Sequence, residues 1–328
     1  MPWPRGPLSA TVISALQRRP GTLGATPPVG PVDVLSDDDF SLALYLCYEL
    51  HYRGVANAEW EWDPGLLKFR AELEQVFEDR LHDEIRHERF RFALDVVTAL
   101  EELIETYRGP SLTTYLLETG TLDQLREFCV HRSAYELKEA DRHAFGVPRL
   151  THEAKAALVE IQYDEYGSGN ATRMHATLFA DTMTALDLDS SYGSYVELLP
   201  GATLATVNLV SMFALHRRWL ASLIGHLTVL KMTSAEPMAH LSAALARFGV
   251  APEGRQFYHA HLDVNPRHAR IAQDRLVKGL IEGEPRMGLE IIFGAAAVLM
   301  LEQRFRFHLL DSWTKNRSSL VPWQLKAS

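Results

Sequence analysis

The 328-residue chain has only two cysteines, Cys47 and Cys129, far apart and outside any Cys-x-x-Cys spacing. They supply neither a disulfide framework nor a thiolate zinc site, which leaves histidine and carboxylate as the side chains able to hold a metal. A basic surplus is also missing: 33 Lys and Arg against 42 Asp and Glu give a formal net charge of −9. Nucleic-acid binding normally requires a concentrated basic face, so a small-molecule partner and no nucleic acid are expected. Long hydrophobic runs are absent as well. The most apolar stretch, Leu289 to Leu301, is interrupted by Glu290 and Gly294 and is too short to span a bilayer. Nothing after Met1-Pro2-Trp3-Pro4-Arg5-Gly6-Pro7 reads as a signal peptide's continuous apolar segment, so a cytoplasmic protein without membrane contact is expected. The lack of GxSxG, P-loop and dinucleotide fingerprints sets aside the usual hydrolase, nucleotide and hydride-transfer chemistries.

What the sequence does contain is helical patterning. Hydrophobic residues at 47% and charged ones at 23% are ordinary for a globular chain. Residues 1–34 are rich in Pro and Gly and are expected to form a mostly disordered lead, with one turn of helix around Thr11 to Arg18. Ser36-Asp37-Asp38-Asp39 offers an N-cap and acidic first turn for a helix over Phe40 to Tyr52, and Asp63-Pro64 opens another over Leu66 to Glu78. Further helices are expected at Phe90–Tyr107, Ser111–Glu118, Thr121–Glu139, Thr151–Tyr166, Ala171–Leu188, Thr203–Thr233 (closed by Pro237), Gly254–Leu280 and Met287–Asp311. No segment reads as a strand, so the fold class is all-α, a helical bundle.

Three positions of one expected helix, His261, Asn265 and His268, fall within about 60° of one another, so their side chains can converge. Two are imidazoles; the third is an amide where a carboxylate would be a stronger ligand. Glu139, Glu165 and His175 each interrupt an apolar or small-residue setting on other helices. Glu165 and His175 would point about 80° apart on a straight helix, so the Gly167-Ser168-Gly169-Asn170 break is needed to bring both to one centre. Taken singly, Glu139 is equally consistent with a solvated charge at a helix end, and His175 with a core histidine bonded to a carbonyl. His82 and His87 diverge by about 140° and cannot share an ion. His226, behind Gly225, reads as structural, the glycine permitting close helix approach.

Over most of its length the chain resembles the haem-oxygenase-like diiron oxidases and oxygenases. The segments that carry the likeness are Tyr45–Gly54 (YLCYELHYRG), Leu137–Asp141 (LKEAD), Glu160–Gly167 (EIQYDEYG), Met174–Ala180 (MHATLFA) and Gly225–Ser234 (GHLTVLKMTS). The resemblance implies a haem-oxygenase-like bundle over 131–328, an N-terminal helical region over 35–130 with apolar surface that could pair two subunits, and metal ligands at Glu139, Glu165, His175, His261 and His268. Two family ligand positions are changed: Lys231 stands where a bridging Glu is usual, and Asn265 where Asp is usual. Both changes remove negative charge, and Pro266 is expected to kink the helix between His261 and His268.

The resemblance implies a non-haem iron enzyme with one or two ions, manganese being the alternative metal, that uses O₂ and an external reductant on substrates such as amino acids, amines or fatty acids, by N-oxygenation, desaturation or C–C cleavage; oxidation of a small amino acid or amine in specialised metabolism is the favoured expectation. The competing expectation is a scaffold that holds one metal or none and binds a ligand or partner without turnover. Lys231 itself is a candidate catalytic residue, as a base of depressed pKa or as an oxidised residue.

Overall fold

A computed structural model describes residues 1–86 and 95–322 of the chain. Helices and turns account for its regular structure, and no strand occurs among the described residues. The chain divides into two compact units, one formed by Met1–Arg89, Val196–Met212 and Leu320–Ser328, the other by Phe90–Tyr195 and Phe213–Ser319.

In the first unit the Pro/Gly-rich lead is not an unstructured tail at its start: α1 spans Pro7–Leu16 and buries Leu8, Val12, Ile13 and Leu16. Composition averaged over 34 residues hides this ten-residue amphipathic segment. Its first-turn N–H groups, which have no partner inside a helix, are taken by Asp39, which accepts from Leu8 N at 2.9 Å and Ser9 N at 2.7 Å. Asp39 lies in α2, Asp38–Glu49, whose N-cap is Asp37 accepting from Phe40 N, one residue beyond the expected Ser36. The segment after α1 is tied down by Gly21 N donating to Asp63 and by Trp60 Nε1 donating to Arg18 O. Asp63 also caps α3, Pro64–Arg86, through Leu66 N at 2.9 Å, with proline at the first position where no N–H is needed.

The second unit begins, within the described residues, with α4, Val96–Thr106, capped by Asp95. The earlier part of the helix expected from Phe90, and His87, lie outside the described residues. Then come α5, Leu112–Glu118, and α6, Leu122–Glu136, which opens with a reciprocal Thr121–Gln124 capping box. The single helix expected over Thr121–Glu139 is in fact two, because the chain turns at Leu137–Lys138 and restarts as α7, Glu139–Ala144. Next are α8, His152–Glu165, and α9, His175–Ala185. The long helix expected over Thr203–Thr233 also divides, into α10, Gly201–Leu215, most of which belongs to the first unit, and α11, Leu220–Thr233, with a 3₁₀ turn at Arg217–Trp219 between them.

Pro237 does not close that helix. It sits in the first turn of α12, Ala235–Arg247, a helix the sequence pattern did not announce. Next, α13, Gln256–Ile271, continues through Pro266 and runs into a π-helical turn at Ala272–Val277, so the irregularity expected at Pro266 comes one turn and more later. The π turn leads to α14, Lys278–Gly283, and α15, Met287–Thr314, completes the unit.

The domain boundary expected at residue 130 falls inside α6. Leu125, Phe128 and Cys129 share one buried cluster with Leu137, Phe179, Met183, Leu245, Phe257, Phe305 and Leu309. The helices expected in a separate N-terminal region, α4 and α5, belong to this second unit, and residues 196–212 belong to the first.

The closest crossing in the second unit is α11 on α15, and two glycines make it. A Cβ on Gly225 would lie 1.9 Å from Ile291 O, and one on Gly294 would lie 2.1 Å from Ser222 O. Ser222 Oγ donates to Glu290 O at 3.0 Å across the same seam. His226, next to Gly225, is fully buried as expected. The contact is backbone on backbone and cannot yield by a rotamer change. Gly225→Ala is therefore expected to lower stability by about 1–3 kcal/mol or more. Urea unfolding would show it, and an unchanged midpoint would mean that the helices part without cost.

Candidate metal centre

Each side chain of the centre is placed by a helix end or a helix face. Glu139 stands at the first position of α7 because the chain turns at Lys138, whose backbone (φ −144°, ψ 28°) is not helical. Glu165 is the last residue of α8, and His175 the first of α9. Between them the chain reverses through three residues of positive φ: Gly167 (68°), Ser168 (54°) and Gly169 (82°). A Cβ at Gly167 would lie 2.6 Å from Arg173 C and Met174 N, so glycine is required there twice over, by conformation and by space. His261, Asn265 and His268 project from one face of α13, and Lys231 from the last turn of α11.

Four of these residues meet. One ligand atom each from Glu139, Glu165, His175 and His261 lies within 4.8 Å of all the others. Glu165 Oε2 is 2.8 Å from His175 Nδ1, Glu139 Oε2 is 4.0 Å from His175 Nδ1, and Glu139 Oε2 is 3.5 Å from His261 Nε2. His261 donates from Nδ1 to Phe257 O at 2.9 Å, which orients the ring and turns Nε2 inward. The opposite oxygens of the two carboxylates face Lys231, whose Nζ is 2.7 Å from Glu165 Oε1 and 3.5 Å from Glu139 Oε1.

His268 and Asn265 are near but outside the four. His268 holds Asp164 through Nε2 at 2.9 Å and places Nδ1 at 3.5 Å from Glu165 Oε1, on the Lys231 side. Asp164 is in turn ion-paired to Arg267, which also reaches Glu160. Asn265 is buried, with neither amide atom bonded among the described residues.

The electrostatics follow from the pairing. Burial and Glu165 both work to raise the Glu139 carboxyl, but Lys231 and His261 outweigh them and hold it at about 2. Burial likewise opposes ionisation of Glu165, yet Lys231 first and His175 second hold it well below the usual carboxylate range. Burial lowers Lys231, and the two carboxylates more than reverse this, so it stays above the ordinary lysine value. Contact with two carboxylates works against the depressed pKa considered for Lys231 as a base.

The residues present fit a transition-metal ion. Glu139 Oε2, Glu165 Oε2, His175 Nδ1 and His261 Nε2 are all buried and all without a hydrogen-bond partner, although two of them are 2.8 Å apart. Lone pairs that share a point rather than each other are the arrangement a cation completes, since buried polar atoms are otherwise almost always paired. Two carboxylates with two imidazoles suit iron or manganese.

Of the residues singled out from sequence, the structure brings together Glu139, Glu165, His175 and His261. It sets His268 and Asn265 beside them and puts Lys231 in contact with both carboxylates. Sequence pattern missed Asp164 as the partner of His268, for which no spacing signal exists.

A family model described as iron-containing redox enzyme matches residues 126–303. Among solved structures, the chain is similar to a CADD-like protein of unknown function from Nostoc punctiforme PCC 73102, at 14% identity and a TM-score of 0.50, covering 72% of this chain and 96% of that one. It is also similar to a domain of unknown function with a heme oxygenase-like fold from Shewanella denitrificans OS217, at 12% identity and a TM-score of 0.51, covering 70% and 95%. At such identities the likeness shows the fold alone, and that fold is heme oxygenase-like. No curated protein matches the chain. No helix among the described residues is long and apolar enough to cross a membrane.

Two outcomes test the pairing. Lys231→Met leaves two buried carboxylates without their cation, and deleting one member of a buried charged group costs about 3–5 kcal/mol. The metal-free variant should lose that much in urea unfolding at neutral pH and regain part of it when Fe²⁺ is added; an unaltered midpoint refutes the pairing. Glu139 at about 2 when folded, against 4.5 when free, makes the unfolded chain the tighter proton binder. Its contribution is complete above 4.5 and is lost as pH falls toward 2, so Glu139→Gln should flatten the stability profile of the metal-free protein in that window. Parallel acid limbs in variant and wild type would contradict this.

Proposed function

The chain belongs to the iron-containing redox enzyme family, and on that premise we propose that it is an O₂-dependent oxidase or oxygenase of a small amino acid or amine, with one iron ion held by Glu139, Glu165, His175 and His261. The observation that carries this reading is the set of four buried, unpartnered ligand atoms within 4.8 Å of one another. Iron bound there would supply the capacity to reduce O₂ and to withdraw electrons from a neighbouring substrate, with an external reductant restoring it.

The protein's own part is positional and electrostatic. Phe257 meets the rings of both His175 and His261 edge-on, with centroids 6.2 and 4.5 Å away, and Phe179 backs it at 5.1 Å. This apolar wall keeps water from the imidazole side, which strengthens every charge interaction inside. Lys231 holds a positive charge on the Oε1 side of both carboxylates, where a second divalent ion would otherwise be drawn, and so favours a single-ion centre. Asp164 fixes the ring of His268.

A second reading has one specific observation in its favour. Lys231 already neutralises part of the acidic pair, so charge balance in the site does not demand an ion, as a ligand-binding scaffold without turnover would require. Metal analysis separates the two. Protein from iron-supplied cells should carry about one iron per chain, and His175→Ala or His261→Ala should cut retention by about 10- to 100-fold. Lys231→Glu combined with Asn265→Asp should raise the content toward two, because both changes restore anionic oxygen ligands. Wild type without iron, and without an optical change when Fe²⁺ and O₂ are added, would leave only the scaffold reading.

A further inference from the structure

The helix α8 is acidic where it meets α13. Glu153, Glu160 and Asp164 recur at helical spacing along one stripe, and the ligand Glu165 follows Asp164 directly. The opposing stripe is basic. Arg275 reaches Glu153 through Nε and Glu160 through Nη1, while Arg267 reaches Glu160 through Nη1 at 2.9 Å and Asp164 through Nη2. Asp164 in turn meets His268 Nε2 at 2.9 Å, and His268 Nδ1 stands 3.5 Å from Glu165 Oε1. A line of alternating charge therefore runs from the surface, where Glu153 and Arg267 are exposed, to the buried His268 and Glu165 at the metal centre.

The π turn makes this line possible. On an unbroken α-helix, residues 267 and 275 would point about 80° apart. Within Ala272–Val277 each residue turns the chain less, because the backbone bonds there span five residues instead of four, and this closes most of that angle. Both guanidiniums consequently face α8. Register matters more to a metal ligand than to a core side chain. A slip of one residue along α8 would move Glu165 by about 1.5 Å and turn it by about 100°. Apolar burial has no direction and specifies register weakly, whereas arginine forks shared between successive carboxylates specify it by geometry. A single exposed ion pair contributes little, but several that share members form a network.

We propose that Arg267 and Arg275 are positioning residues for the metal centre: through Glu160 and Asp164 they lock α8 against α13 and so hold Glu165 near His261. The role rests on the iron reading of the site, to which it adds a dependence on ionic strength. Salt weakens the partly exposed ladder, while the buried ligands behind it are screened far less.

The test is anaerobic Fe²⁺ affinity of the full chain, in wild type, in Arg267→Met and Arg275→Met singly and together, and in the matching Lys variants. Each is measured at about 10 mM and about 1 M KCl, between which the Debye length falls from about 30 to about 3 Å. At low salt the double Met variant should bind Fe²⁺ about 10-fold more weakly than wild type, as expected when outer support of a ligand is lost. At high salt the gap should close to about 2-fold, since wild type then loses its ladder as well. The Lys variants should fall between, because an ammonium keeps the charge without the fork. In metal-free protein the imidazole proton shared by His268 and Asp164, assigned by its loss in His268→Gln, should be visible by NMR in wild type and absent from the double Met variant. Circular dichroism establishes which variants fold; should the double Met variant not, the Lys variants carry the test. Equal affinities at low salt, a gap of the same size at both salts, or a His268 proton missing from wild type or unaltered in the variants overturns the inference. Wild type that binds no Fe²⁺ overturns the iron reading, and the His268 proton then decides the ladder by itself.

Discussion

The Lys231 ammonium between Glu139 and Glu165 is the interaction on which the centre depends. Two carboxylates buried this close repel each other and would exchange ionisation for a proton if left alone. The ammonium keeps both ionised while touching only their Oε1 atoms, so their Oε2 atoms stay free to face His175 and His261. A bridging acid at position 231 would have called for a second cation; a lysine supplies positive charge covalently, which is why the function proposed above has one ion.

The fold serves this arrangement by ending helices where the site needs them. Glu139 begins α7, Glu165 ends α8 and His175 begins α9, so three of the four ligands sit at helix termini whose orientation is set by short irregular links. Only His261 comes from a helix interior, and there the backbone carbonyl one turn earlier holds its ring. Behind the site, the glycine seam of α11 and α15 draws two backbones together at Gly225 and Gly294. Lys231 lies six residues after Gly225 on the same helix, so the depth to which α11 sinks also sets where the ammonium sits.

The all-α class was legible in the helical patterning, and the residues that meet at the candidate centre could be singled out because each interrupts an apolar helical pattern and because Gly167 to Asn170 advertises a break between Glu165 and His175. The divided helices were not. Leu137–Lys138 and His216–Trp219 contain no proline or glycine, and their turns are imposed by tertiary packing that overrides local preference. The helix α1 was expected only as one turn around Thr11 to Arg18 because of the composition around it, and α12 was hidden by Pro237, which reads as a stop but is also acceptable in a first turn. Side-chain pairing is the hardest quantity to foresee. The contact of Lys231 with two carboxylates and the hold of Asp164 on His268 are properties of distant segments meeting, and no spacing along the chain encodes them.

The account stands or falls on where metal binds. Anomalous diffraction at the iron edge, from crystals equilibrated with Fe²⁺, counts and places ions directly. One peak within bonding distance of Glu139, Glu165, His175 and His261, with Lys231 still against the Oε1 atoms, is the predicted result. No peak at those four residues, or two peaks with Lys231 turned aside, would contradict it.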